Sequence, residues 1–332
     1  MLEATSAPKN TTEYVDQVIE YAPPNFEFRF LNARTAFQRV DVFHVHWPEL
    51  IVRGRNRFET ILRCLGLQVA LYLMRARGTA IVRTLHNLEP HEPGIAAERW
   101  AISRLDAATD LLVTINPIRG PHEEAIYIPH GHYRGSYEAH KKPEPIEGRI
   151  AFAGLIRPYK GVERLITAFQ GAETPGLSLR VVGKPTDALR VTIEDAANAD
   201  PRITACFGYL SDEDFVAEIS SAELMCLPYD DVYNSGVLLA VLSLDRPALV
   251  KETPSTRALA DEVGPGWIHF FSGELNSEDI DRAIRSARAT RRAGRPCLEG
   301  RDWQRVADQY ADAFIEAIRR ARQRRRAVWR RR

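Results

Sequence analysis

The sequence predicts an α/β protein with two Rossmann-like halves, each built on a parallel sheet covered by helices. Its length of 332 residues is typical of two domains of roughly 100–200 residues each. Apolar runs alternate with helix-like segments almost throughout the chain, and several runs, such as Leu224–Leu227, are apolar at every position. Continuous apolar strands indicate parallel sheets that are buried on both faces.

Short apolar runs predict the strands of both halves. Five lie in the first half and six in the second: Phe26–Phe30, Val40–His46, Thr79–Leu85, Leu111–Ile115 and Ala125–Ile128, then Ile150–Ala153, Leu179–Val182, Ile203–Phe207, Leu224–Leu227, Ala248–Val250 and Trp267–Phe271. Residues 1–10 hold no apolar run, although a Rossmann-like half usually opens with a strand. We therefore expect the first half to begin one strand short or to have a trimmed start, with Thr11–Tyr21 as its first helix.

A polar segment with two prolines, His140–Pro145, separates the two halves. The expected domains are therefore residues 1–145 and 146–300, followed by a C-terminal helix and an arginine-rich tail in residues 301–332. Ligands of open parallel sheets bind beyond the carboxyl ends of the strands. The functional residues are accordingly expected in the loops at those ends, in a cleft between the two halves.

The strongest chemical signal lies in Phe152–Ile166. A strand ends at Gly154, a short loop carries Arg157 and Lys160, and an amphipathic helix follows. Two cations at the start of a helix favour a diphosphate, because their charges and the free N–H groups both attract phosphate oxygens. The alternative is a solvated basic turn with no ligand.

This segment resembles the G-x-x-x-x-x-K-G loop that opens the second domain of GT-B glycosyltransferases, especially the large retaining family four. The resemblance implies the GT-B fold, in which two Rossmann-like domains have parallel sheets that face each other across a cleft. Residues 1–145 would bind the acceptor and residues 146–300 a nucleotide sugar, and the final helix would cross back to the first domain. By the same resemblance, Arg157 and Lys160 hold the donor diphosphate.

The segments farther along the second half resemble the same family in order and spacing. By this resemblance the donor-binding residues include glycines and their neighbours at several strand ends: Gly154, Gly183, Lys184, Gly208, Tyr209, Tyr229, Asn234, Ser235 and Gly236. Ser211 is expected to cap the next helix, with Asp214 three residues later.

One departure from family four concerns the reaction. The family usually places one glutamate three residues before the last of these glycines and another five after it, where this chain has Tyr233 and Val241. Neither side chain accepts hydrogen bonds as a carboxylate does. The retaining mechanism is therefore not carried over, and it stays open whether Asp230, Asp231 or Glu252 replaces the missing acceptors.

No metal or separate cofactor is expected. The nucleoside-diphosphate sugar is a co-substrate, the loop cations already supply positive charge, and GT-B enzymes generally need no metal. Two His-x-His pairs, at residues 44–46 and 130–132, raise the question of zinc. We expect none, because zinc demands a defined ligand geometry and alternation along a strand is expected to point the two rings to opposite faces.

The first half carries histidines at or near the carboxyl ends of its predicted strands. An inverting transfer needs a base near the acceptor hydroxyl. The candidates for this acid–base role are His86, Glu89, His91 and Glu92. His44 lies inside an apolar strand and is expected to be a buried hydrogen-bonding residue instead.

The histidine-rich first half, the Asn234–Gly236 loop and the missing glutamates resemble bacterial β-mannosyltransferases that build exopolysaccharide repeats on polyprenyl carriers. This resemblance implies GDP-mannose as the donor, inversion as the outcome and a lipid-linked oligosaccharide or other glycan as the acceptor. A sugar-nucleotide epimerase of the same fold would use the same loop without any acceptor. A non-catalytic nucleotide-sugar-binding protein would bind the donor without turnover.

The sequence favours a cytoplasmic protein. It shows no signal peptide, and its most apolar stretch, Cys64–Met74, is shorter than the roughly 20 residues that span a bilayer. Phe58–Ala76 is expected to be a helix whose apolar face packs inside the protein. The arginines just before it and the nine that follow Glu316 suit an anionic membrane surface, which would hold the protein peripherally. No motif for specific nucleic-acid binding is present.

Overall fold

The computed structural model describes residues 1–3, 14–32, 35, 38–86, 94–118, 122–229, 236–290, 292 and 294–330, with side chains up to residue 327. The chain divides into two compact units. The first unit contains Met1–Gly131 and Gly300–Arg332, and the second unit contains His132–Glu299.

Each unit is built on one six-stranded sheet, and every strand pairing that the structure describes is parallel. The strands of the first unit are β1 (Leu2–Glu3), β2 (Arg29–Phe30), β3 (Val42–Val45), β4 (Ala80–Leu85), β5 (Leu111–Thr114) and β6 (Ile126–Tyr127). Those of the second unit are β7 (Ile146–Ala153), β8 (Ser178–Gly183), β9 (Ile203–Phe207), β10 (Ala222–Leu227), β11 (Ala248–Lys251) and β12 (Ile268–Phe271). All eleven predicted strands are therefore found.

The strand order gives each sheet one switch point. The first sheet runs β2-β1-β3-β4-β5-β6 and the second β12-β11-β10-β7-β8-β9, so the order reverses between β1 and β3 and between β7 and β10. In open parallel sheets, ligands bind beyond the carboxyl ends of the strands at this point. The topology alone therefore marks one candidate ligand position in each unit.

Helices flank both sheets, as the α/β prediction requires. In chain order they are α1 (Tyr14–Glu20), α2 (Pro48–Val52), α3 (Arg57–Arg77), α4 (Ala96–Ala108), α5 (Val162–Gln170), α6 (Asp187–Ala199), α7 (Asp212–Ser220), α8 (Gly236–Ser243), α9 (Pro254–Val263), α10 (Ser277–Ala289) and α11 (Trp303–Arg330). Among the helices that the structure describes, none combines the length and the apolar character that crossing a bilayer requires.

The expectation of a missing first strand is wrong. Leu2–Glu3 forms β1, which pairs with both β2 and β3 and so occupies an interior position of the first sheet. Both side chains are buried. A strand of two residues, one of them charged, is too short to show the alternation or the apolar run by which strands are predicted.

The last helix belongs to the first unit. Buried side chains of α11 recur every three or four residues, at Val306, Tyr310, Phe314 and Ala317, which is the spacing of a helix with one apolar face. They join the core that covers one face of the first sheet. This placement agrees with what the GT-B resemblance implies for the final helix.

The segment between the predicted halves packs with the second unit. Tyr133 and Tyr137 are buried in that unit's core, and the backbone N–H of Tyr133 donates a hydrogen bond of 2.9 Å to Oγ of Ser243. The units consequently divide after residue 131 rather than at residue 145. Residues 140–145 lead directly into β7.

Candidate functional site

Three glycines lie side by side at the carboxyl ends of neighbouring strands in the second unit. The N–H of Gly154 donates to the carbonyl of Val182 at 3.0 Å, and the N–H of Gly208 donates to the carbonyl of Gly183 at 3.1 Å. Gly183 has a φ of +146°, and a Cβ there would overlap the carbonyl of Gly154. The sequence therefore needs glycine at this position, and the resulting edge is bare backbone that a ligand can approach closely.

Arg157 is held at this edge by backbone carbonyls. Its Nη1 donates to the carbonyl oxygens of Ile156 at 2.8 Å and Lys184 at 3.0 Å. Lys184 thus fixes the guanidinium through its main chain, while its own side chain is exposed. Across the described residues, no carboxylate forms an ion pair with Arg157, so its charge is available to an anion.

Lys160 is a partly buried cation next to Arg157. Its Nζ lies 5.1 Å from the ring centroid of Tyr229, which follows β10. Burial, together with the charge of Arg157, lowers the pKa of Lys160 to about 8. No acidic partner of Lys160 is present in the described ranges. Two adjacent cations without counter-charges are unfavourable alone, and an anion bound beside them removes that cost.

The loop geometry places these cations at the switch point of the second sheet. Gly161, with a φ of +67°, ends the short 3₁₀ turn Pro158–Lys160 and starts α5. A Cβ at Gly161 would overlap the carbonyl of Pro228, which follows β10. The loops after β7 and β10 therefore touch each other here, and Tyr229 lies beneath Lys160 with its hydroxyl buried and without a hydrogen-bond partner in the described residues.

The other residues predicted to bind the donor are only partly described. Tyr209 is 86% exposed and Gly236 is the first residue of α8, whereas Asn234 and Ser235 lie outside the described residues. Ser211 caps α7 as expected, because its side chain accepts a hydrogen bond from the N–H of Asp214. Their binding roles stay predictions.

The positions of the missing glutamates give one clear result. Val241 is fully buried in the core of the second unit, so it contributes nothing at a ligand surface. Glu252 is bonded by Arg257 and by Oγ of Ser272, and these bonds lower the pKa of its carboxyl. Asp230, Asp231 and Tyr233 lie outside the described residues.

A second group of polar side chains lies at the carboxyl ends of β3 and β4 in the first unit. His86 follows β4, and its Nε2 lies 2.8 Å from Nδ1 of His46, which follows β3. The ring of His86 stacks on Trp47 with centroids 4.2 Å apart and stays partly exposed. Of the four predicted acid–base residues, the structure describes His86, while Glu89, His91 and Glu92 lie outside the described residues.

Behind His46 lies a buried carboxyl that the sequence did not single out. Oε1 of Glu3 is 3.0 Å from Nδ1 of His44, whose Nε2 is 2.9 Å from Oγ1 of Thr84. Oε2 of Glu3 faces Nε2 of His46 at 3.7 Å. His44 is thus the buried hydrogen-bonding residue that the sequence predicts.

The expected separation of His44 and His46 is wrong. Their ring centroids are 4.2 Å apart, because residues two positions apart on a strand share a face and only adjacent residues point to opposite faces. His130, from the end of β6, joins the same region through an edge contact with Tyr14 on α1. His132 belongs to the second unit.

Burial holds the groups of this cluster in uncharged forms at neutral pH. It raises the pKa of Glu3 to about 8 and lowers the pKa of His44 to about 3 and of His130 to about 4. The pKa values of His46 and His86 are also lowered well below the usual range, by burial and then by neighbouring histidines.

One ligand atom each of Glu3, His44 and His46 lies within 4.8 Å of the others, near enough to share one ion. However, Nδ1 of His44 is already at hydrogen-bond distance from Glu3, and the second ring nitrogens of both histidines are engaged by Thr84 and His86. A hydrogen-bonded cluster accounts for these contacts without an ion. The absence of a metal stays a prediction.

Comparison with known proteins gives close relatives in sequence and distant ones in structure. No family model matches the chain. Two proteins from Xanthomonas campestris pv. campestris, one of them from strain ATCC 33913, are 37% identical to it over 324 residues, which is 96% of this chain and 92% of theirs. Each is described as a GDP-mannose:glycolipid 4-beta-D-mannosyltransferase.

Solved structures that resemble the chain include two glycosyltransferases, both at low sequence identity. AviGT4, involved in avilamycin A biosynthesis, has a TM-score of 0.58 at 11% identity and covers 96% of this chain and 97% of its own. The lipopolysaccharide outer core galactosyltransferase WaaB has a TM-score of 0.56 at 13% identity, with 91% and 80% covered. At these identities the likeness concerns the fold.

Proposed function

The chain belongs to the family of GDP-mannose:glycolipid 4-beta-D-mannosyltransferases, and we propose that it transfers mannose from GDP-mannose to a lipid-linked glycan. It is a glycosyltransferase with the GT-B fold predicted from its sequence, and a family of this kind implies a nucleotide-sugar donor and a glycolipid acceptor. As part of the proposal, the reaction serves the assembly of a bacterial surface polysaccharide or exopolysaccharide.

The single observation that supports donor binding most strongly is the unpaired cation pair of the second unit. Arg157 and Lys160 stand at the switch point of a nucleotide-type sheet, beside the bare glycine edge and the start of α5. A diphosphate bound there gains two charge-assisted contacts. It also offsets the burial and the repulsion from Arg157 that lower the pKa of Lys160.

In the proposed reaction the acceptor hydroxyl attacks the anomeric carbon of mannose while the bond from that carbon to the diphosphate breaks, so the configuration inverts. Arg157 and Lys160 stabilise the charge of the departing GDP. His86 accepts the hydroxyl proton, since it is a neutral, partly exposed imidazole. The cations do this electrostatic work without a metal ion, so we propose that none is required.

A transfer assay tests this function directly. Labelled GDP-mannose is incubated with the protein and a polyprenyl-diphosphate oligosaccharide, with and without excess EDTA. We expect label in the lipid fraction and release of GDP only when the acceptor is present, with no loss in EDTA. Conversion of the sugar without acceptor would instead indicate an epimerase, and binding without turnover would indicate a non-catalytic protein.

The first unit also carries a surface that suits a membrane. One apolar face of α3 packs in the core of the first unit as expected, through buried side chains that include Cys64, Leu67 and Leu71. Large apolar side chains also lie on the face that is exposed to solvent: Phe58, Ile61, Leu62, Leu65, Val69 and Tyr72 are 44–74% exposed. They recur at helical spacing and so form one continuous stripe. Beside the stripe lies a groove of about 730 Å³ between α3, α4 and α11, lined by Arg75, Arg104, Arg324 and Arg325 among others.

Apolar side chains next to a basic groove fit the headgroup region of an anionic bilayer. We propose that this face holds the protein peripherally at the inner surface of the plasma membrane, where a polyprenyl-linked acceptor is presented. The basic residues differ in availability: Arg53 pairs with Glu98 and Arg319 with Glu316. Arg324 bonds Asp110 and so helps to attach α11 to the first unit.

Vesicle binding tests this surface with a matched control. The double variant Leu62→Glu, Leu65→Glu should lower the partition coefficient onto vesicles containing phosphatidylglycerol by about tenfold or more, because two inserting side chains are lost. Val191→Glu changes an equally exposed apolar residue in the second unit and should have no effect. Truncation after Arg326 should weaken binding less. Equal sedimentation of the wild type, the double variant, Val191→Glu and the truncated protein with the vesicles would contradict the proposed membrane-binding surface.

A further inference from the structure

A buried chain of polar side chains connects β1 to His86. Glu3 lies 3.7 Å from Nε2 of His46 through its Oε2, and Nδ1 of His46 lies 2.8 Å from Nε2 of His86. Glu3 and His46 are buried. Within the described residues, neither Oε2 of Glu3 nor Nε2 of His46 has a hydrogen-bond partner. A carboxyl oxygen and a ring nitrogen thus face each other inside the protein, slightly beyond hydrogen-bond distance.

When Oε2 of Glu3 and Nε2 of His46 close from 3.7 Å to hydrogen-bond distance, this chain of side chains has two self-consistent hydrogen-bonding states. When Glu3 is ionised, it accepts from N–H at Nε2 of His46, so Nδ1 of His46 accepts from N–H at Nε2 of His86, and Nδ1 of His86 carries a lone pair. When Glu3 is protonated and donates to His46, every bond reverses and Nδ1 of His86 carries hydrogen. The charge on Glu3 therefore decides whether His86 can act as a base at Nδ1.

We propose that Glu3, acting through His46, sets the tautomer of His86 and takes up the proton that His86 removes from the acceptor hydroxyl. The proposal rests on the proposed function, in which His86 is the base. Glu3 and His46 touch no substrate and are positioning residues.

The proton movements balance in three steps. The hydroxyl proton passes to Nδ1 of His86, the proton on Nε2 of His86 passes to Nδ1 of His46, and the proton on Nε2 of His46 passes to Oε2 of Glu3. Meanwhile the acceptor oxygen bonds to the anomeric carbon and GDP leaves with the electrons of the broken bond. The reverse path returns the proton to water before the next turnover.

The environment favours Glu3 over His86 as the final proton carrier. Burial and three neighbouring histidines make an imidazolium at His86 unfavourable. Protonation of Glu3 removes a buried negative charge instead, and the same burial raises its pKa to about 8. The other titratable groups that face the cluster come from several elements: the α-amino group of Met1, His44 on β3, His130 after β6, Tyr14 on α1 and Tyr310 on α11.

The kinetic test compares Glu3→Gln with the wild type over about pH 6.5 to 9.5, which brackets the pKa of Glu3. In the wild type, kcat should rise through an apparent pKa near 8 as Glu3 ionises. Glu3→Gln keeps the size and shape of the side chain but removes the ionisable carboxyl. Its kcat should therefore be about 100-fold lower and should not rise with pH, while the KM for GDP-mannose stays unchanged. Tyr310→Phe removes a hydroxyl from the branch that leads to Thr84 and should keep the wild-type pH profile.

A spectroscopic test needs only the wild-type protein. Nitrogen-15 shifts of the His86 ring should change from the Nδ1–H to the Nε2–H tautomer as pH rises through about 8. A tautomer that stays the same across this range would overturn the proposal even if Glu3→Gln fails to fold. One transition metal per purified chain, lost in Glu3→Gln, would also overturn it, because an ion would then bridge Glu3 and His46.

The two proposals fail in different ways. Absence of mannose transfer in the wild type refutes the proposed function. Transfer by the wild type with an unchanged kcat and pH profile in Glu3→Gln refutes the relay alone.

Discussion

The two units place opposite electrostatics at the same topological position. At the switch point of the second sheet, Arg157 and Lys160 form a cation pair with no acidic partner among the described residues, held by backbone carbonyls and glycine-rich loops. At the switch point of the first sheet, Glu3, His44 and His46 are buried and held uncharged by desolvation. The cation pair of the second unit can bind an anionic ligand, whereas the buried carboxyl and imidazole groups of the first unit are neutral but ionisable.

This contrast follows from what each half of a transfer reaction requires. A leaving diphosphate carries its own charge, so its site needs fixed opposite charge. A hydroxyl acceptor is neutral and must lose a proton, so its site needs a group that changes its protonation state. A parallel sheet with one switch point serves both sites, although the two strand orders differ, because the strands fix only where the loops emerge, while the loop residues decide the chemistry.

The largest effect should come from His86→Ala. If the first unit supplies the base, kcat should fall about 1,000-fold, within the range for loss of general-base catalysis, whereas calorimetric affinity for GDP should stay unchanged. His122→Ala, which removes another histidine of the first unit outside the cluster, serves as the control. Full turnover by His86→Ala would remove this residue as the base and leave Glu89, His91 and Glu92 as the predicted candidates.

Removal of Arg157 or Lys160 should weaken the binding of GDP, in contrast to the effect of His86→Ala on kcat. Arg157→Ala and Lys160→Ala should each weaken calorimetric GDP affinity by about 10- to 100-fold, because each loses a charge-assisted contact with the diphosphate. Lys142→Ala removes an exposed lysine that precedes β7, at the opposite end of the strand from the site, and should bind GDP normally. Unchanged affinity in both loop variants would contradict the diphosphate site.

The pH dependence of GDP binding should distinguish the contribution of Lys160 from that of Arg157, which stays charged throughout the range. Below about pH 8 Lys160 is charged in the free protein, so affinity should be constant. Above that pH Lys160 is neutral in the free protein and must take up a proton when GDP binds. The affinity for GDP should therefore fall by about tenfold per pH unit. Lys160→Arg keeps its charge throughout this range and should show a flat profile. An identical fall in both proteins would show that another group controls binding.

The sequence predicts the second unit better than the first. Its strands include runs such as Leu224–Leu227 that are apolar at every position. Its site follows from a glycine and two cations within seven positions, Gly154 to Lys160, because one loop carries all three residues. The α7 cap at Ser211 is equally local. Such features need no knowledge of distant residues, and the resemblance to GT-B glycosyltransferases depends on the same segment.

The cluster of the first unit could be predicted only in part. Histidines at strand ends indicated His46 and His86, but Glu3 is brought to them by strand pairing across 41 positions from His44. Tyr310 reaches Thr84 from a helix 226 positions away. Burial of a glutamate in a two-residue strand has no local signature, since Glu is among the residues that are almost never buried without a partner.

The smallest effect should come from Tyr310→Phe. This substitution tests the stability of the first unit around the histidine cluster rather than its catalytic activity. The Tyr310 hydroxyl lies 3.0 Å from Oγ1 of Thr84 and 3.0 Å from the hydroxyl of Tyr14, all of them buried. Its removal leaves two polar groups short of a partner and should lower the free energy of unfolding of the first unit by about 1–2 kcal/mol. Calorimetric unfolding should therefore show a transition lowered by a few degrees, whereas Tyr72→Phe, at a position 74% exposed in the same unit, should not shift it. Equal transitions would mean that the buried hydroxyl chain is not needed to hold the cluster, and that packing of α11 on the sheet is sufficient.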